Sequence, residues 1–151
     1  MYTLYACLLL NDFLNIKPEF CKVQIISSTN VGTSANLCVG KFLKLQDLYY
    51  GLMLPSGNDA ALVLAYYYGY WLGKKDKFPS FHWKKVFTFS LEGKTKYNKI
   101  YLSRFMSFIN NHLIKEKLNH HQTHLENPHG LPDKFQYSTA WELANATLVF
   151  L

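Results

Sequence analysis

Apolar residues crowd the first fourteen positions, MYTLYACLLLNDFL, on nearly every side, which predicts a helix buried in a core rather than one lying on a surface. Lys22 to Ser28, KVQIISS, alternates polar and apolar residues with β-branched side chains and reads as a short strand. TNVGTSANLCVGKF is a loop by its Gly, Ser, Thr and Asn content. Leu45 to Leu54, LQDLYYGLML, returns to helical spacing and is stopped by Pro55, which disfavours helical backbone at Leu54. After a bend at Ser56 comes DAALVLAYYYGYWLG, a second buried helix with Asn58 or Asp59 as its cap and Gly73 at its end. The tyrosine run Tyr66 to Tyr68 belongs to the packing of that helix.

Beyond Lys74 the pattern turns basic and aromatic as far as Lys99, with a short strand predicted at Val86 to Phe89. Ile100 to Leu118 is amphipathic and predicts a helix; NHHQTHLENPHGLPDKFQYS is a long loop. TAWELANATLVFL opens with the capping box Thr139-x-x-Glu142 and reads as helix to the last residue. No internal repeat is visible. Both termini interrupt helices, so the expectation is a partial domain over residues 1–151 with a basic insertion at about 74–99.

Composition narrows the class. With 49% hydrophobic and 17% charged residues the chain can bury a core, which excludes disorder. The longest apolar run, Leu4 to Leu10, meets Asn11 and Asp12 and falls short of the roughly 20 residues a membrane span needs. No positively charged segment precedes it and no small-residue cleavage site follows, so it is not a signal peptide and the compartment stays unknown. Cys7, Cys21 and Cys38 have no C-x-x-C spacing and read as buried free thiols. The formal charge of +6 is local: Lys74, Lys75, Lys77, Lys84, Lys85, Lys94, Lys96 and Lys99 share their segment with only Asp76 and Glu92.

The bend LMLPSGNDAALVLAY holds the most informative chemistry. A loop leading into a helix N-terminus meets unpaired N–H groups and a partial positive charge, a natural place to display polar side chains. Ser56 and Asn58, two apart in an extended turn, would point to the same side while apolar helices hold them rigid. Taken alone, the pair is an ordinary turn former.

Context adds to it. The stretch VGTSANLCVGKFLKLQDLYYGLMLPSGNDAALVLAY resembles the middle of the D-alanyl-D-alanine carboxypeptidases, low-molecular-mass penicillin-binding proteins in which a Gly-Ser/Thr-Ala-x-Leu loop leads to a DLLYGLLLPSGNDAA helix pair. His124 to Ala144, HLENPHGLPDKFQYSTAWELA, resembles the same family's Asn-Pro-His-Gly-Leu segment. The resemblance covers about residues 1–72 and 103–150 and implies the α+β fold of serine β-lactamases and penicillin-binding proteins, here mainly its helical subdomain, with most of the antiparallel sheet missing. It implies a serine-type carboxypeptidase, a hydrolase that takes D-Ala-D-Ala-terminated stem peptides of peptidoglycan or β-lactams, uses no cofactor and works outside the cytoplasm.

The family carries Ser-x-x-Lys with the nucleophile, Ser-x-Asn facing it, and Lys-Thr/Ser-Gly on a strand. Ser56-Gly57-Asn58 matches the second. By position Ser56 would relay protons between the catalytic lysine and the leaving amine, and Asn58 would hydrogen-bond the substrate amide; such groups orient an acyl transfer and protonate its leaving nitrogen. Aligned on Thr3, the lysine of the first motif falls immediately before Met1 and the nucleophile three residues earlier; GKTKY has Lys96 where the third motif needs Gly. The expectation is therefore a fragment of an active enzyme, inactive by itself, with a non-catalytic peptidoglycan-binding relative as the alternative and a class A β-lactamase-like hydrolase, which usually carries Ser-Asp-Asn, as the second.

Other groups are weighed against plainer roles. His112, Glu116 and His120 recur at helical spacing with His121 and His124 close behind, but they mark a helix end running into a loop, and no metal is expected. His129 in NPHGL braces its own loop. The lysine and aromatic segment reads as a solvated loop rather than a nucleic-acid or membrane surface, and Asn145 in NAT sits inside the last helix, where a glycosylation acceptor is fortuitous.

Overall fold

The structure, a computed structural model, describes residues 1–25, 31–74, 87–89 and 98–150, with the backbone alone at 87–89 and 150. Most of the basic segment, and the end of the strand predicted to reach Ser28, lie outside the described residues. Within them, α1 spans Tyr2–Leu14, β1 Cys21–Gln24, β2 Phe42–Lys44, α2 Leu45–Met53, α3 Asn58–Leu72, β3 Phe87–Phe89, α4 Asn98–Ser107 and α5 Ala140–Phe150.

Helix α3 is the hub, packed against α1, α2 and α4. Its all-round apolarity has the predicted consequence: Val63, Leu64, Ala65, Tyr67 and Tyr68 are buried among Leu10, Leu48, Phe105 and Ile109. Tyr68 lies parallel to Phe105 with ring centroids 6.3 Å apart and meets Tyr67 edge-on at 5.0 Å. Gly69 allows α4 its close approach, because a Cβ there would lie 1.9 Å from the Tyr101 carbonyl oxygen. Sheet order is β2-β1-β3; β2 runs antiparallel to β1, whereas β3 runs parallel to it. The described sheet is thus mixed, where the sequence pointed to a remnant of an antiparallel one.

A polar cluster crosses this core. Asn11 Nδ2 donates to Tyr49 Oη at 2.8 Å, Tyr68 Oη donates to Asn11 Oδ1 at 2.5 Å, and the two phenols share a hydrogen bond. Burial pushes the pKa of Tyr49 and Tyr68 well above the ordinary phenol range, so both remain protonated and available as donors.

Several boundaries depart from the expectations for stated reasons. Helix α1 ends because Asn15 adopts the left-handed conformation, φ 52°, and its N–H closes onto Asn11 and Asp12. Neither Asn58 nor Asp59 caps α3: Gly57 holds the N-cap position, and both side chains are used in binding a loop. The helix expected over 100–118 is α-helical only to Ser107; Phe108–Lys117 is wound wider, in π form. The wider turn puts Ile109, Asn110, Leu113 and Ile114 together on the core side. Of the thiols, Cys7 and Cys21 are buried, but Cys38 is exposed because its loop runs outside the sheet.

Large apolar side chains also face outward. Leu54 is 82% exposed, and on α5 Trp141 is 74% and Leu148 70% exposed, seven residues apart on one face. The isolated chain is therefore expected to self-associate and to unfold over a broad, irreversible range; a sharp reversible transition in a monomer, checked by calorimetry with light scattering, would contradict this. In urea, Asn11→Ala should lower stability by about 1–3 kcal/mol, since it strips the buried Tyr68 phenol and the half-buried Tyr49 phenol of a partner.

Candidate active site

The bend between α2 and α3 is built from both sides. Leu54 N–H still closes onto Tyr50, and Pro55 then turns the chain away. Ser56 takes up a left-handed φ of 55°, not the extended turn expected, at a cost of about 1–2 kcal/mol for a residue with a Cβ. That strain is held in place: the Thr33 hydroxyl donates to the Ser56 carbonyl, and Gly57 N–H donates to Gly51 O at 3.1 Å. Gly57 has no room for a side chain, because a Cβ would stand 2.5 Å from Gly51 O and 2.9 Å from Ala35 N.

Residues 31–37 lie across this bend and are bound to the first turn of α3. Asn58 N–H donates to Thr33 O at 2.9 Å and Asn58 Nδ2 to Val31 O at 2.8 Å. Gly32 permits the second contact, since a Cβ there would sit 2.4 Å from Asn58 Nδ2. Asp59, fully buried, accepts from Ala35 N–H and Ser34 Oγ at 2.8 Å each, from Leu37 N–H at 3.0 Å and from Ala60 N–H at 2.9 Å. Desolvation raises its pKa, but these four donors outweigh it and the carboxyl ends below its ordinary value. No feature of the sequence marked Asp59 beyond its place at a helix start.

The Asn-Pro-His-Gly-Leu loop faces the bend. Asn127 Oδ1 accepts from Gly130 N–H at 2.7 Å and its Nδ2 donates to Leu131 O at 2.9 Å. His129 Nδ1 accepts from Leu131 N–H at 3.3 Å, and burial lowers its pKa, so the ring is neutral with its proton on Nε2. The Thr3 hydroxyl donates to Pro128 O, which ties the start of α1 to the same loop.

Two further side chains hold the long loop of residues 119–139 to the helices. Asn110 donates to Leu125 O at 2.8 Å and accepts from Leu125 N–H at 2.9 Å. Thr139 Oγ1 accepts from Glu142 N–H at 3.2 Å as the capping box predicts. The Glu142 carboxylate does not complete the box. It turns instead to His121 N–H at 2.8 Å, Gln122 N–H at 3.0 Å and the Thr123 hydroxyl at 2.5 Å. Desolvation opposes its ionisation, but these donors prevail and its pKa is lowered.

A cavity of about 520 Å³ opens between these parts. Ser56, Asn58 and His129 all line it, with Thr3, Asn127 and Ser138. Ser56 is exposed in it, whereas Asn58 is only 4% exposed and has one amide proton committed to Val31 O. The other described histidines have separate partners: His112 pairs with Glu116 at 2.7 Å, His124 with Glu126 at 2.9 Å, His121 with Asn119 Oδ1 at 3.0 Å, and His120 lies buried beside the Tyr2 hydroxyl. Among the described residues no three metal-ligating side chains converge.

The same architecture occurs in a DD-transpeptidase and in a D-alanyl-D-alanine carboxypeptidase of known structure. The crystal structure of the Streptomyces K15 DD-transpeptidase matches 95% of this chain with a TM-score of 0.64 at 24% identity, and this chain covers 47% of it. The D-alanyl-D-alanine carboxypeptidase DacD from Francisella tularensis matches 99% with a TM-score of 0.65 at 21% identity, and 29% of it is covered. The chain has the penicillin-binding-protein fold, in its helical part, and spans about half the length of the Streptomyces protein. No protein-family profile matches the chain, and no curated protein does.

The buried carboxylates of Asp59 and Glu142 set an acid limit on this site. Both pKa values are lowered on folding, so their contribution is full above the ordinary values of 3.8 and 4.5 and is lost as pH falls through the lower folded values. Unfolding midpoints measured from pH 7 to pH 2 should drop below about pH 4.5. Asp59→Asn should cost about 2 kcal/mol at pH 7 and flatten that drop.

Proposed function

We propose that this chain carries part of the substrate site of a D-alanyl-D-alanine carboxypeptidase-type serine peptidase, a hydrolase that trims D-Ala-D-Ala-terminated peptides of peptidoglycan. One observation carries the reading: Ser56 and Asn58, the start of α1 and the Asn-Pro-His-Gly loop converge on one cavity. The family resemblance puts the nucleophile in the turn leading into α1, so the cavity lies where the second motif would face it.

In that reading Ser56 passes a proton between the lysine of the first motif and the leaving amine, and the free amide proton of Asn58 holds the peptide carbonyl. The left-handed Ser56 keeps the hydroxyl on the exposed side of the bend. Gly57 supports the carboxypeptidase over the class A β-lactamase, because an aspartate between Ser56 and Asn58 would collide with the Gly51 carbonyl and the Ala35 amide.

The 151 residues contain no Ser-x-x-Lys and no Lys-Thr/Ser-Gly. By themselves they hold a site without its nucleophile, and peptide binding without cleavage is the second reading, favoured by the intact cavity. Incubated with a fluorescent penicillin, the purified chain should form no covalent adduct, while N-acetyl-D-alanyl-D-alanine should shift the NMR signals of Ser56, Asn58 and His129. A penicillin adduct would overturn the assignment of the nucleophile to a segment outside these residues. Absence of any peptide-induced shift would overturn the cavity as a peptide site.

A further inference from the structure

One hydroxyl in the cavity has its proton direction dictated from behind. Ser138 precedes α5, is exposed and lines the cavity opposite the bend. Its Oγ lies 2.8 Å from Thr123 Oγ1, and Thr123 Oγ1 in turn lies 2.5 Å from Glu142 Oε2. Thr123 is 4% and Glu142 8% exposed, so neither exchanges these partners freely with water.

Counting protons settles the direction. Glu142 is an ionised carboxylate that also receives His121 and Gln122 N–H, and such a group only accepts. The single proton of Thr123 therefore goes to Glu142. Thr123 can then only accept from Ser138, so the Ser138 proton points inward, away from the cavity. One competing acceptor, the Thr139 carbonyl, is at 3.5 Å, well beyond the 2.8 Å contact. Tyr2 Oη stands beside the same pair as a further acceptor, and a Ser138 proton turned to it is equally taken up within the protein and withheld from a ligand.

We propose that Ser138 is a binding residue of this cavity, fixed by Thr123 and Glu142 as a hydrogen-bond acceptor for a peptide N–H. It complements His129, which lines the same cavity and, with Nδ1 accepting from Leu131 N–H, carries its ring proton on Nε2. Acceptor and donor together match the N–H and C=O of a peptide unit. The proposal rests on the reading of the cavity as a peptide site.

The test compares N-acetyl-D-alanyl-D-alanine with its analogue methylated on both amide nitrogens, titrated by NMR into the full 151-residue chain. The wild type should bind the first about five- to tenfold more tightly, the worth of one hydrogen bond. Ser138→Ala, at an exposed position, should bring that ratio to about one. Thr123→Val, which frees the Ser138 proton to turn outward, should lower the ratio as well, and Thr123→Ser should retain it. An unchanged ratio in Ser138→Ala overturns the role of Ser138 and leaves the cavity reading standing. Failure of the wild type to bind either compound overturns both.

Discussion

The buried carboxylate of Asp59 is the constraint on which the site depends. It takes four hydrogen bonds, three of them from residues 34–37 and one from the first turn of its own helix. An ionised carboxylate out of water is tolerable only when its lone pairs are met this fully, so the loop cannot leave without stranding the charge. Through that loop the constraint reaches the bend, because Thr33 holds the Ser56 carbonyl and Val31 takes the Asn58 amide. The strained backbone at Ser56 persists because these contacts over-determine it.

The same device recurs on the opposite wall. Glu142 gathers His121, Gln122 and Thr123, and Asn110 clamps Leu125 by both its amide groups. Long loops otherwise run over the surface with solvated backbones; here each is bound to a helix by a buried polar side chain. The apolar core around α3 fixes the helices, and the polar clamps fix the loops to the helices. The cavity is what remains between two loops placed in this way, so its shape follows from Asp59, Asn110 and Glu142 more than from the residues that line it.

Much of the fold could be read from periodicity. The all-round apolarity of Tyr2–Leu14 and Asn58–Leu72 announced buried helices, Pro55 announced the end of α2, and Thr139 announced the start of α5. The π winding of Phe108–Lys117 could not be read, because its apolar spacing differs from that of an α-helix by less than one residue per turn. Parallel pairing of β3 with β1 was equally hidden, since register and direction depend on partners distant in sequence. Cys38 was misjudged because its apolar neighbours lie on a loop, where Leu37 packs against the core while Cys38 and Val39 face outward.

The sequence by itself determined which local structures could form and which residues carried chemistry: Ser56-Gly57-Asn58 at a helix start, the Asn-Pro-His-Gly-Leu turn, and the resemblance that links them. Helical spacing and turn chemistry act over a few residues, so they leave a mark that a single chain displays. Tertiary structure alone decided that Ser56, Asn58 and His129 share one cavity, that Asp59 and Glu142 bind loops instead of capping helices, and that the Ser138 proton faces inward. Each of these depends on which donor meets which acceptor across more than ten residues of chain. A carboxylate has the same composition whether it caps its own helix or stitches down a distant loop, and only the packed backbone chooses between them.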